Sequence, residues 1–363
     1  MQVFRILMAR LARLIAIMDN TENYIMEIEK TFTEPGFYFQ WHFLETCNLR
    51  CKHCYQDGYV PQPANLTLVG KTIAQIEKAL TIWDIPGRVS ITGGEPLLDT
   101  RTLFTILDGL TAVERVNHIG ILTNGTLLTS PLVTRLGRYV KLKEVQVSLD
   151  GASAEVHDAT RGVGNFNRAI AGLKLLIQAR IPTAIMFTAS KINHVDAINV
   201  INLAIELGVN AITIERYTPF HGSDDPLALN KSETRRMFED VLKKKIECHI
   251  KGCAIKIRTS RPLWNLLSPT CGGVCPVGYS CLTIMHNGVL YPCRRLPVKL
   301  GTVQGDGLFK VWYTSPVLRE LRKRDNIEQC SSCEKNHLCG GCRAAAYAST
   351  GNYMSPDPLC WKE

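Results

Sequence analysis

Three cysteines, Cys47, Cys51 and Cys54, stand in the string CNLRCKHC with a C-x3-C-x2-C spacing. Three thiolates on one tight loop can hold three irons of a four-iron cluster. The fourth iron then lacks a protein ligand, and an open position on a metal is where chemistry happens. Zinc in a closed structural site takes four ligands. The next cysteine downstream is Cys248, so zinc is the weaker reading. A turn, Gly93-Gly94-Glu95-Pro96, follows the next strand-like run. Its glycines let a ligand approach the backbone closely, and Glu95 can accept charge-assisted hydrogen bonds from an ammonium group. Near the C-terminus, Cys275-x5-Cys281-x11-Cys293 precedes Cys330-x2-Cys333-x5-Cys339-x2-Cys342, and Cys360 follows. Eight cysteines are what two fully ligated four-iron cubes require. C-x2-C pairs in isolation also suit zinc ribbons.

Alternating elements must position these groups. Short β-branched runs at Phe37–Leu44, Val89–Thr92, Ile119–Thr123, Glu144–Leu149, Thr183–Thr188 and Ala211–Glu215 read as strands. Helical patterns lie between them, at Ile73–Trp83, Thr102–Thr111, Phe166–Ala179 and Val195–Leu207. Repeated β-α units imply a parallel sheet, because each crossover returns the chain in the same direction. A charged helix, Lys231–Ile250, bridges onward. From Ser268 the composition turns cysteine-rich and long helical patterns vanish, so metal clusters must supply order there. The N-terminal run carries Arg5, Arg10 and Arg13 among its apolar residues. It is therefore too interrupted to span a bilayer, and reads as an amphipathic helix that packs on the sheet.

The CNLRCKHC string with GGEP after the second strand resembles the radical S-adenosylmethionine (SAM) superfamily. The resemblance implies an α/β fold, a partial (β/α)6 TIM-like barrel, with a SAM-binding [4Fe–4S] cluster on Cys47, Cys51 and Cys54. It implies reductive cleavage of SAM to a 5'-deoxyadenosyl radical that abstracts a substrate hydrogen. The SAM contacts it implies are Gly93, Gly94, Glu95 and Pro96, then Asn124, Ser148 and Asp150 at later strand ends. Arg161 in HDATRG is the candidate carboxylate clamp, since a guanidinium meets a carboxylate bidentately. No residue is assigned as the catalytic base. The C-terminal spacing resembles the SPASM extension, which carries two auxiliary four-iron clusters. Its interleaved pattern implies Cys275, Cys281, Cys293 and Cys342 for the first, and Cys330, Cys333, Cys339 and Cys360 for the second. Cys271 is an alternative to Cys275, and Cys248 and Cys253 stand outside both sets. The domains so implied are 1–36 (helical segment), 37–225 (barrel), 226–267 (bridging helix and linker) and 268–363 (cysteine-rich module).

The net charge of +9 invites a nucleic-acid partner. The basic stretch from Lys243 to Arg261 lacks the interleaved aromatic residues that stack bases, so no nucleic-acid or membrane partner is expected. A modestly basic surface suits an acidic flavodoxin or ferredoxin as reductant. Clustered cysteines in metal spacings point to a reducing cytoplasm. Enzymes that resemble this chain mostly modify peptides and proteins, with or without a separate recognition protein, and this is the first expectation for substrate. Tetrapyrrole maturation in haem or haem d1 formation is the second, and a non-catalytic iron–sulfur electron carrier is the reading from another class. Sulfatase-maturing members place an acid after the G-x4-C cysteine. Here Arg294 and Arg295 follow Cys293, and an arginine is no base at neutral pH. The pair suits a carboxylate-bearing substrate, the cluster's surroundings or plain surface charge.

Overall fold

A computed structural model describes residues 36–362, apart from 57, 58, 60–62, 221, 223 and 270. The expected N-terminal helix lies outside the described residues. In chain order, β1 (Phe37–His42), α1 (Leu66–Trp83), β2 (Gly87–Thr92), α2 (Thr100–Ala112), β3 (Val116–Thr123) and α3 (Ser130–Leu136) come first. They are followed by β4 (Leu142–Ser148), α4 (Ala154–Arg161), α5 (Asn165–Gln178), β5 (Thr183–Ala189), α6 (Ala197–Leu207) and β6 (Ala211–Arg216). All six expected strands are present, each paired in parallel with the next. The four helices expected between them are present too, with starts moved by capping. Asn65 accepts from the Leu68 amide at 3.1 Å and so begins α1 seven residues before the expected Ile73. Asp99 does the same for α2, accepting from the Thr102 amide at 3.0 Å.

The sheet extends beyond the six expected strands. After α7 (Lys231–Ile250), which opens with a reciprocal Asn230–Glu233 capping box, β7 (Lys256–Arg258) adds in parallel to β6. Sequence periodicity left this segment as linker, because three residues are too few to show alternation. At the opposite edge β8 (Cys281–Ile284) pairs in parallel with β1. It turns through Gly288, at φ +83°, into the antiparallel β9 (Val289–Tyr291), and β10 (Gly301–Thr302) completes the edge. The resulting order is β10-β9-β8-β1-β2-β3-β4-β5-β6-β7 in one ten-stranded sheet. The remaining helices, α8 (Leu308–Thr314), α9 (Pro316–Leu321) and α10 (Arg343–Thr350), are short. No described helix is long and apolar enough to cross a membrane.

Strand alternation decides which face does chemistry. Phe37, Phe39 and Trp41 of β1 are almost fully buried in the core. Phe37 stacks on Trp83 of α1 at 4.5 Å and meets the edge of Trp312 of α8 at 4.7 Å. That aromatic contact ties the C-terminal helices to the first helix of the barrel. Removing it with Phe37→Ala is expected to cost about 3–5 kcal/mol, read as a lower urea midpoint of the apoprotein with unchanged m-value.

Candidate functional site

The loop after β1 carries Cys47, Cys51 and Cys54, all half-buried free thiols. Its backbone is fixed from two sides. Lys52 donates its amide to the Thr160 carbonyl at 3.0 Å, docking the loop on the end of α4. The Gly94 and Glu95 amides donate to the carbonyls of Leu44 and Thr46, each at 2.9 Å. A Cβ on Gly93 would lie 2.4 Å from the Leu44 oxygen, and one on Gly94 2.2 Å from the Thr46 oxygen. Neither position has room for a side chain, so the turn packs its backbone directly against residues 44–46. The space before them is filled by the cysteine loop's own backbone. Pro96, buried, begins a 3-10 turn directly behind.

Glu95 is fully buried. One carboxylate oxygen accepts from the Leu97 amide (3.0 Å) and the Thr123 hydroxyl (2.6 Å), the other from the Asn124 amide (2.7 Å). Burial pushes its pKa up to about 7 against these three donors. Glu95 thus ties the GGEP turn to the end of β3. Asn124 in turn donates to Asn48 of the cysteine loop at 2.9 Å, and Asn48 donates to Thr126 at 2.9 Å. Ser148 is half-buried at the end of β4.

Asp150 is the hub of this end of the sheet. It has no exposed surface, and its Oδ2 accepts from Arg161 Nε at 2.6 Å and His53 Nε2 at 2.7 Å. Oδ1 accepts from the Thr188 amide at 2.9 Å. Burial alone would raise its pKa; Arg161 and His53 more than reverse that and hold it well below the usual carboxylate range. Arg161 was expected to clamp a ligand carboxylate. Its Nε clamps Asp150 instead, while Nη1 reaches to 3.8 Å from Cys51 Sγ. His157 accepts the Asp150 amide at 3.1 Å through Nδ1. Burial pushes its pKa down to about 4, so at neutral pH the ring keeps the lone pair this bond needs. His53 also stacks on Tyr217, with ring centroids 6.4 Å apart. The partner of His53, Asp150, lies 97 residues away, beyond any spacing signal.

The C-terminal cysteines fall into two groups. Burial pushes Cys275 up to about 11, and the charges of Cys342 and Cys293 push the same way. Cys281 is raised by burial, then by Cys275 and Cys293. Separately, burial and the charges of Cys360 and Cys333 raise Cys330. Cys339 reaches about 11 through burial, with Asp357, Cys360 and Cys330 adding to it. The resemblance assigns the same cysteines to its two interleaved sets. Cys271 lies elsewhere: its carbonyl accepts from Thr259 at 2.7 Å, and its thiol acts on the buried Lys245. Cys248 and Cys253 hydrogen-bond to each other.

Mutually repelling thiols with raised pKa values call for a cationic core that stabilises their thiolates. No three Cys, His, Asp or Glu side chains among the described residues close around one metal ion. A four-iron cube holds its cysteine sulfurs further apart than one zinc ion does. Nearby guanidinium groups supply further countercharge. Arg161 stands beside Cys51, and the charges of Cys293, Cys342 and Cys275 act on Arg295. Arg295 also pairs with Glu215 at 3.5 Å, and Glu215 pairs closely with Arg261. Asp357 takes the Cys342 amide at 2.8 Å and pairs with Arg216 at the end of β6.

Neither Arg294 nor Arg295 is plain surface charge. Arg294 is 7% exposed, and its guanidinium lies 4.5 Å over the Tyr55 ring and 5.9 Å from Phe220. Nη2 donates to the Tyr55 carbonyl at 3.1 Å. Its Nε is buried without a partner, as is His42 Nε2 across the same Tyr55 ring.

Comparisons with known proteins agree with this geometry. The family model described as the radical SAM superfamily matches residues 41–204, and that of the iron–sulfur cluster-binding SPASM domain matches 275–334. The AdoMet-dependent heme synthase of Methanosarcina barkeri is 30% identical over 88% of this chain and 95% of its own length. The mycofactocin maturase MftC of Mycobacterium tuberculosis is 31% identical over 88% of this chain and 81% of its own length. Among solved structures, anSMEcpe with bound AdoMet superposes with a TM-score of 0.75 at 17% identity, covering 90% of this chain and 94% of that one.

Two outcomes follow from the site. Asp150→Asn leaves Arg161 buried without its countercharge and is expected to cost about 3–5 kcal/mol, measured by urea unfolding of the apoprotein. Cys51→Ala is expected to leave about eight of twelve irons and to abolish 5'-deoxyadenosine formation, checked by iron analysis and chromatography after anaerobic reconstitution.

Proposed function

The chain belongs to the radical SAM superfamily and carries its SPASM extension, and from that premise we propose that it matures a carboxylate-bearing tetrapyrrole. It is an enzyme, and SAM and multiple [4Fe–4S] clusters are its cofactors. Bound together, SAM and the first cluster supply one-electron hydrogen abstraction. The chain's own residues hold and orient. Cys47, Cys51 and Cys54 carry the first cluster, with Arg161 fixed against Cys51 by Asp150. The two C-terminal groups carry one auxiliary cluster each, three in all.

The observation that carries the substrate reading is Arg294. It stands where sulfatase-maturing relatives place an acid, so it does not accept a proton. It is buried between two aromatic rings with a free Nε–H. A substrate carboxylate satisfies that donor through a charge-assisted hydrogen bond. Arg295, already paired with Glu215, belongs to the auxiliary cluster's surroundings instead. The likeness to a heme synthase over 95% of that enzyme's length supports a tetrapyrrole. Peptide modification, the first expectation from the sequence, becomes the second reading, supported by the 31% identity to a mycofactocin maturase.

The test is anaerobic incubation with SAM, a reductant and either a carboxylate-bearing iron porphyrin or candidate precursor peptides, followed by mass spectrometry. A mass change in the porphyrin with 5'-deoxyadenosine is expected. A mass change in a peptide alone would replace the first reading by the second. Arg294→Gln should raise the porphyrin's KM about tenfold to a hundredfold, the loss of one hydrogen bond to a charged group, while SAM cleavage without substrate persists.

A further inference from the structure

Arg343, the first residue of α10, is 5% exposed. Its Nη1 donates to the carbonyls of Tyr353 and Ser355, both at 2.8 Å. Nε and Nη2 are buried and meet no acceptor. Leaving two donors of a charged group unpaired in the interior is costly, about 1–3 kcal/mol for each, and native interiors rarely tolerate it without a ligand. The unpaired edge has a definite direction. A Cβ on Gly341, which sits at φ +61° between Cys339 and Cys342, would lie 2.8 Å from Arg343 Nη2. The charge of Arg343 also reaches Cys330. The free N–H groups therefore border the space enclosed by the second cysteine group.

We propose that Arg343 donates its Nε–H and Nη2–H to sulfurs of the cluster held by Cys330, Cys333, Cys339 and Cys360, and thereby raises that cluster's reduction potential. The inference rests on the three-cluster reading above. Hydrogen bonds to cluster sulfurs and nearby positive charge both favour the more negative, reduced form. The opposing charge in this region is Asp357, which is spent on Arg216 and the Cys342 amide. Arg343 bonds otherwise only to carbonyls, so its full charge remains to act on the cluster. The first auxiliary group is set differently, because Arg295 and Arg261 share Glu215. The two auxiliary groups thus differ in how a guanidinium meets them: Arg295 is paired with a carboxylate, whereas Arg343 bonds only to carbonyls.

The experiment is an EPR-monitored redox titration of anaerobically reconstituted wild type, Arg343→Lys and Arg343→Gln, with iron analysed in each. Arg343→Lys retains the charge and loses the planar pair of donors. Iron content near that of the wild type is expected. One auxiliary signal should fall in midpoint by about 59 mV in Arg343→Gln, a tenfold shift of a one-electron equilibrium, and by less in Arg343→Lys. The other two signals should not move. Unchanged midpoints at unchanged iron would overturn the proposal. Loss of four irons in both variants would also overturn it, making Arg343 a tie for the 353–355 turn. Wild-type protein that binds no iron at the second cysteine group would remove the three-cluster reading, a result visible without either variant.

Discussion

A fully buried carboxylate, Asp150, holds the catalytic end of the barrel together. Its three acceptor contacts bring in His53 from the cysteine loop, Arg161 from the end of α4 and the backbone of β5. Each of those partners is itself committed. Arg161 points at Cys51, His53 stacks on Tyr217, and His157 takes the Asp150 amide. A charge taken out of water is tolerated only when paired and hydrogen-bonded. The site meets that condition by drawing three separate segments to one point, and the position of the cysteine loop follows from it.

The same rule operates around every cysteine group. Thiols crowded in a low-dielectric interior resist ionisation, and the structure answers with nearby guanidinium groups. Arg161 serves the first group, Arg295 the second, and Arg343 the third. Acidic residues then divide that charge unevenly, since Glu215 and Asp357 bind some arginines and leave others free. Placement of charge thus sets the groups apart although their ligands are chemically alike.

Sheet continuity is the second constraint. β8 lies in register on β1, with Cys281 opposite Tyr38. An auxiliary cysteine is thereby fixed by the strand that leads into the Cys47–Cys54 loop. The aromatic contact of Phe37 with Trp83 and Trp312 reinforces the same junction from the helical side. The cysteine-rich segment and the barrel share one sheet.

The six strands, their parallel direction and the two kinds of cysteine spacing were legible in the chain alone. β-branched alternation and ligand spacing are local properties, written within a few residues of one another. The cluster chemistry followed from Cys47, Cys51 and Cys54 for the same reason. The roles of Glu95, Asp150 and Arg161 were not legible in this way. Their residue types suited a ligand, but folding committed most of their polar atoms to partners within the chain. β7 and β8 escaped notice because strands of three or four residues carry no periodicity. Arg216 and Asp357 are 141 residues apart, and nothing in either neighbourhood announces the pair. Residue types and local spacing define which residues could bind iron and the order of the β-α units. Which buried charges neutralise which emerges only on folding, because that depends on distances through a low-dielectric interior between segments far apart in the chain.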